Sequence, residues 1–207
     1  MINRRSLILA GAAALCSPSV ARSEIRCSPY NQRGIQYCEA GVRIRNFVTA
    51  QQQCQNWCWA ACVEAVFSQK GYRVSQREIV ERIYPNLGCY PATGPQIVEA
   101  ISGHWVDRGG RDFEAWGSPV IDRSYGIWNF DSGAIIAREL AAGNPLIIGS
   151  LSHATMISAI TYYHAYDGTW WVASITVRDP WPGNPNRRLL SQQEARNANL
   201  VIQIFVG

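Results

Sequence analysis

The first long stretch of patterned apolar positions runs from Trp57 to Lys70 and reads as a helix, with Asn56 available as its N-cap and Gly71 as its stop. A second helix opens at Ser75, where Ser75-x-x-Glu78 has the spacing of a capping box, and ends before Pro85. A third, short helix is expected from about Pro95 to Ser102. Residues 103–130, rich in Gly, Trp and Asp, read as a loop with one strand, after which Asp131 or Ser132 caps the helix IIARELAA, closed by Gly143. The pattern then changes. PLIIGSL, ATMISAITYY, TWWVASITVRD and LVIQIFV are short, β-branched and aromatic, separated by turn signals such as Asp167-Gly168, and Ser191-x-x-Glu194 caps a short helix among them. Helices first and strands second indicate an α+β fold, with a helical half over about 51–142 and a β half over about 143–207. Residues 22–50 form an N-terminal extension with two cysteines and one expected strand, IRNFV at 44–48.

The first 21 residues read differently. A charged start, an apolar stretch from Leu7 to Leu15 and the small-residue triplet Ser19-Val20-Ala21 make a signal peptide with cleavage after Ala21. Arg4-Arg5 followed by Ser6 and Leu7 resembles a twin-arginine signal, and a general secretory signal fits equally. Cys16 follows Leu15, where a lipidation site would have a small residue. A secreted or periplasmic chain without a membrane anchor is therefore expected, since no run reaches the ~18 apolar residues of a membrane span.

Composition narrows the function classes. About 185 residues of the 207 remain after the signal, enough for one sizeable core. Without Arg4 and Arg5, seventeen basic side chains face fifteen acidic ones, and this net charge of +2, scattered rather than striped, gives no footprint for nucleic acid. Six cysteines follow the signal: Cys27, Cys38, Cys54, Cys58, Cys62 and Cys89. In an oxidising compartment they tend to pair. If one is a working thiol, at most two bridges form and one further thiol is left over. Cys27–Cys38 is the local pair, and Cys89 can join either Cys54 or Cys62.

A thiol is nucleophilic only as thiolate, and a helix N-terminus favours that anion through its unpaired N–H groups and dipole. With Asn56 as cap, Cys58 takes the second helical position, whereas Cys54 precedes the helix and Cys62 lies a turn inside. The alternatives for Cys58 are a buried or bridged cysteine, or a metal ligand with Cys54 and Cys62. Zinc sites bring a second ligand pair from elsewhere, which this chain lacks, so no metal or other cofactor is expected. Of the three histidines, His104 lies in a loop, His164 ends a strand, and His153 opens an apolar strand. His153 suits a base held on a rigid sheet, although a histidine so placed is also at home as a packing residue. Asp179, at the end of the next long strand, can orient it if those strands pair; Asp179-Pro180 is otherwise a simple turn signal. Trp181 beyond it could screen that contact from water. Gln51, Gln52 and Gln53 stand upstream of the thiol, where one amide could join the Cys58 N–H in holding an oxyanion.

Gln52-x5-Cys58-Trp59, then His153, then Asp179, resemble the papain-like peptidases, and N-W-C-W-A-A is similar to small bacterial members, including secreted effector proteases of plant pathogens. The resemblance covers about residues 50–207 and is strongest over 52–67. It implies a helical left lobe bearing the nucleophile and a β-barrel-like right lobe bearing His153 and Asp179. It further implies a Cys58–His153–Asp179 triad, with Gln52 rather than its neighbours completing the oxyanion hole. A protein or peptide substrate, a monomer and hydrolysis of peptide bonds follow from the same likeness. Aspartate stands here where papain has asparagine, and cysteines flank Cys58, so a Cys58 disulfide would silence the enzyme until reduced. Other classes fit the same residues: a transamidase using the same triad, or a catalytically idle papain-like binding module. Trp105, Trp116, Trp128 and Tyr125 are candidates to line a cleft.

Overall fold

A computed structural model of the chain describes residues 25–42, 50–128 and 132–207. The expected signal peptide, the strand expected at 44–48 and the cap expected at Asp131 lie outside these residues. The order of elements is β1 (Arg26–Cys27), β2 (Ile35–Gly41), α1 (Cys58–Gln69), α2 (Gln76–Glu81), α3 (Gly94–Ile101), β3 (Gly103–Val106), β4 (Asp112–Asp122), a single 3-10 turn (Arg123–Tyr125), β5 (Ile127–Trp128), α4 (Ser132–Ala141), β6 (Leu146–Ser150), β7 (His153–Ala165), β8 (Trp170–Arg178), β9 (Arg187–Leu189), α5 (Gln192–Arg196) and β10 (Ala198–Val206). The fold is mixed α+β, and its strands pair antiparallel throughout the described residues.

Local chemistry accounts for the helix ends. Both capping boxes read from the sequence form: Ser75 and Ser191 accept from the N–H groups of Glu78 and Glu194, whose carboxylates reach back. The start of α1 differs from expectation by one residue. Trp57, not Asn56, is the N-cap and no side chain caps the helix; the Asn56 side chain instead donates through Nδ2 to the carbonyl of Cys89 at 2.9 Å. Cys58 thus becomes the first helical residue rather than the second.

All the strands belong to one sheet, in which β1-β2-β7-β6-β10-β4-β3 are neighbours in that order. The long strand β7 carries β6 along its first half and β2 along its second on one edge, and β8 along the other. This corrects two expectations. The segment read as loop with one strand holds three, including the eleven-residue β4. Its buried Phe113 and Ala115 alternate with exposed Asp112, Glu114 and Trp116, a period of two that Gly117 and Pro119 conceal further on. Position 142 is consequently no boundary between a helical and a β half, since β4 pairs β10 inside the sheet. The extension contributes too, because β2 pairs β7 from Ile35↔Ala165 to Gly41↔Ala159.

Helices cover both faces of this sheet. On one face Ile147, Met156 and Ile202 meet α1, α2 and α3 through Trp59, Val63, Val66, Ile79, Ile97 and Ile101. On the other, Leu146, Ile148, Ile157 and Val201 meet Ile136, Ala137 and Leu140 of α4. Alternate residues of β6, β7 and β10 therefore enter different apolar layers, which is why these strands read as unbroken apolar runs. α1 is enclosed on almost every side and buries nine of its twelve residues. Met156, fully buried in the first half of β7, tests this packing. Met156→Ala should cost about 2–5 kcal/mol in a urea unfolding titration, with the slope of the transition unchanged.

Candidate active site

Cys58 is set by a loop that is tied down before the helix begins. A disulfide joins Cys54 to Cys89, and the Asn56 N–H and side chain donate to the Sγ and carbonyl of Cys89 at 3.4 and 2.9 Å. The indoles of Trp57 and Trp59 donate to the carbonyls of Gly88 and Tyr90 at 3.1 and 3.4 Å. Between them they staple residues 54–59 to residues 88–90. Cys58 is 8% exposed, carries a free thiol and stands where the helix dipole is positive. Its Sγ accepts from the Ala154 N–H at 3.3 Å, which connects the helix to the first residues of β7.

His153 is aimed by the turn before it. Ser150 and His153 pair across a two-residue turn, Leu151-Ser152, whose φ angles are 51° and 63°. Positive φ at both positions matches the twist of the flanking strands but disfavours side-chain-bearing residues. β7 and β8 pair as neighbours, so the start of one and the end of the other bring His153 Nε2 to 2.8 Å from Asp179 Oδ1. With Nε2 committed to the carboxylate, Nδ1 is the nitrogen free for the thiol. Burial alone would lower the His153 pKa, but its hydrogen bonds to Asp179 and Cys58 outweigh this and push it up to about 9. The Trp181 ring meets the imidazole edge to face at 6.3 Å between centroids.

Asp179 is 2% exposed and would be raised by that burial. Four donors reverse the effect and hold it well below the usual carboxylate range: His153, the Trp181 N–H at 2.9 Å, Asn184 Nδ2 at 2.9 Å and Arg188 Nε at 2.8 Å. Arg188 escaped sequence reasoning. It stands on β9 opposite Val177 and also grips Glu194 through both terminal nitrogens, at 2.8 and 2.6 Å. Glu194 is held down to about 2, first by Arg188 and further by Ser191. The helix cap that the sequence did reveal is thus also the anchor of the arginine behind the aspartate. An arginine three residues before a capping-box serine was the available signal.

The remaining expectations sort by position. Gln52 is 8% exposed, its N–H bonds the Pro180 carbonyl at 3.0 Å, and its Nε2 donates to the carbonyls of Cys54 and Gln55 at 3.0 and 2.7 Å. Its Oε1 is buried without a partner. Gln51 and Gln53 are fixed through their backbones by Gln76. The bridges are Cys27–Cys38 and Cys54–Cys89, which leaves Cys62 as a buried thiol whose pKa burial pushes well up. Because Cys54 is bridged, the Cys54-Cys58-Cys62 series is no metal ligand set. His104 sits between Asp112 and Glu114 at the surface, and His164 bonds Tyr30 and Gln36, so neither meets Cys58.

A cleft of about 530 Å³ opens beside Cys58 and His153, with Trp59, Ile97, Ser152 and Leu200 among its walls. Of the aromatic residues expected there, Tyr125 lines it, whereas Trp105 is buried against Phe67 and Phe113, and Trp116 stacks on Phe205. The Trp128 side chain lies outside the described part.

Arg188 is the sharpest structural test of the arrangement, because removing it leaves two carboxylates facing each other. Arg188→Met should destabilise the protein by about 3–5 kcal/mol in thermal or denaturant unfolding at neutral pH, and Arg188→Lys should not restore it, because one ammonium cannot span both carboxylates. Comparison with models of known protein families gives no match and comparison with curated proteins gives none, so geometry and sequence motif alone carry the reading of this site.

Proposed function

We propose that this chain is an exported thiol endopeptidase of the papain-like kind, working through Cys58, His153 and Asp179. The observation that carries the proposal is the junction of α1 with the β7–β8 pair. A free thiol at a helix N-terminus, an imidazole raised to about 9 and a buried carboxylate fixed by four donors meet at the mouth of a cleft. The two disulfides suit an oxidising compartment. Such a compartment agrees with export.

In this mechanism the Cys58 proton passes to His153 Nδ1, and the thiolate attacks the carbonyl carbon of the scissile peptide bond. The oxyanion that forms takes a hydrogen bond from the Cys58 N–H. Gln52 joins it by turning one amide hydrogen away from the carbonyl of Cys54 or Gln55. His153 then protonates the departing amine, the C–N bond breaks and a thioester remains. Water, deprotonated by His153, attacks the thioester, and Cys58 leaves as thiolate and takes the proton back from His153, which restores the starting state. Asp179 keeps the imidazole in the tautomer and orientation that serve both transfers.

Cys58→Ala should abolish peptide hydrolysis and remove the iodoacetamide label found at Cys58 by mass spectrometry, while His153→Ala should lower kcat/KM by at least ~10²-fold. Peptide cleavage by the Cys58→Ala protein would sink the proposal. The pH profile carries the sign of the His153 shift. Activity needs protonated His153 and so falls as pH rises through about 9. Asp179→Asn, which takes away the carboxylate that raises His153, should move that loss to lower pH. The same proton also stabilises the fold, fully so below the ordinary value of 6.5, and this contribution is lost as pH climbs through about 9.

A further inference from the structure

The cleft beside Cys58 contains a second acidic residue that the mechanism does not use. Asp122 ends β4, lines the cleft and is 4% exposed. Its Oδ1 accepts one neutral donor, the Ser124 N–H at 3.2 Å. Gly94, the first residue of α3, approaches Oδ2 so closely that no side chain fits at position 94. The N-terminus of α3 therefore lies against this carboxylate. Among the described residues, neither lysine nor arginine lines the cleft, and Asp122 is the one carboxylate residue in its lining.

A carboxylate nearly cut off from water and met by a single neutral donor gains most from a partner that brings both a cation and a hydrogen-bond donor. The walls near it set the shape of that partner. Trp59, Pro91, Ile97 and Leu200 are apolar, and they suit the methylene stem of a long side chain whose charge lies at its tip. Resting on the peptidase reading above, we infer that Asp122 is the selective anion of a substrate pocket, and that this pocket takes a lysine or arginine side chain of a peptide seated at Cys58. The same carboxylate could hold the ammonium group of a free peptide N-terminus, so the test separates the two cations.

Isothermal titration of Cys58→Ala protein reads binding without turnover. N-acetylated, C-amidated peptides carry either arginine or its uncharged counterpart norleucine at successive positions. At one position arginine should bind at least ~10-fold more tightly, and the advantage should vanish in Cys58→Ala/Asp122→Asn protein. Asp122→Ser, which keeps an acceptor for the Ser124 N–H, repeats the comparison if asparagine is not tolerated. Equal binding of arginine and norleucine peptides at every position overturns the inference, as does an advantage that survives loss of Asp122. If only peptides with a free N-terminal amine depend on Asp122, the carboxylate serves the ammonium group and the side-chain pocket is overturned. Hydrolysis of the same peptides by unmutated protein tests the peptidase reading apart from this. An Asp122-dependent arginine advantage without cleavage keeps the pocket and removes the enzyme; cleavage indifferent to arginine does the reverse.

Discussion

A carboxylate with almost no access to water has to be satisfied from within the protein, and Asp179 sets that demand for the whole right-hand end of the sheet. Its four donors come from four different places: the start of β7, the loop after β8, the asparagine further along that loop, and β9. Withdrawing any of them would leave charge uncompensated in a medium where each missing hydrogen bond costs on the order of 1–3 kcal/mol. Segments far apart in sequence are thereby held to one geometry. The loop of residues 180–186 is bound on its other side as well, since the Pro180 carbonyl accepts from Gln52 just upstream of the nucleophile. Orientation of the base and position of the thiol are consequences of the same constraint.

Sequence and structure agree best where local chemistry decides. The capping boxes at Ser75 and Ser191, the Gly143 stop and the strands after residue 145 follow from interactions within a few residues, and all were legible. Cys58, His153 and Asp179 were legible by type and by placement on a helix start, a strand start and a strand end. Whether they met depended on β7 pairing with β8, which the chain alone does not specify. Arg188 stayed hidden for the same reason: its partners are an aspartate nine residues back and a glutamate whose visible role was the helix cap. β4 was lost because Gly117 and Pro119 interrupt a pattern that the sheet restores by pairing with β10. The Asn56 cap did not form: the helix starts one residue later, and the Asn56 side chain donates to a tertiary partner, the Cys89 carbonyl.

Cysteine chemistry is divided by location rather than by sequence. Cys54 and Cys62 flank Cys58 at equal spacing, yet one is bridged outward to Cys89 and the other is buried in the helix with its proton held by that burial. A disulfide and a free thiol therefore stand within four residues of each other. The partition separates the two without a barrier between them, because bridged Cys54 lies before the helix and the free Cys58 begins it.

The turn at Leu151-Ser152 determines which parts of this chain can vary in length. Ala154 and Met156 belong to the layer under α1, so one residue taken up in that turn as a slip of β7 against β6 would turn them toward α4 and carry His153 out of register with Cys58 and Asp179. The turn at the far end of the same strand, around Asp167-Gly168, carries no such consequence, since added residues there leave the start of β7 in register. One hairpin end is thus fixed in length by the chemistry it aims, and the other is open to insertion, a tag or a fused domain.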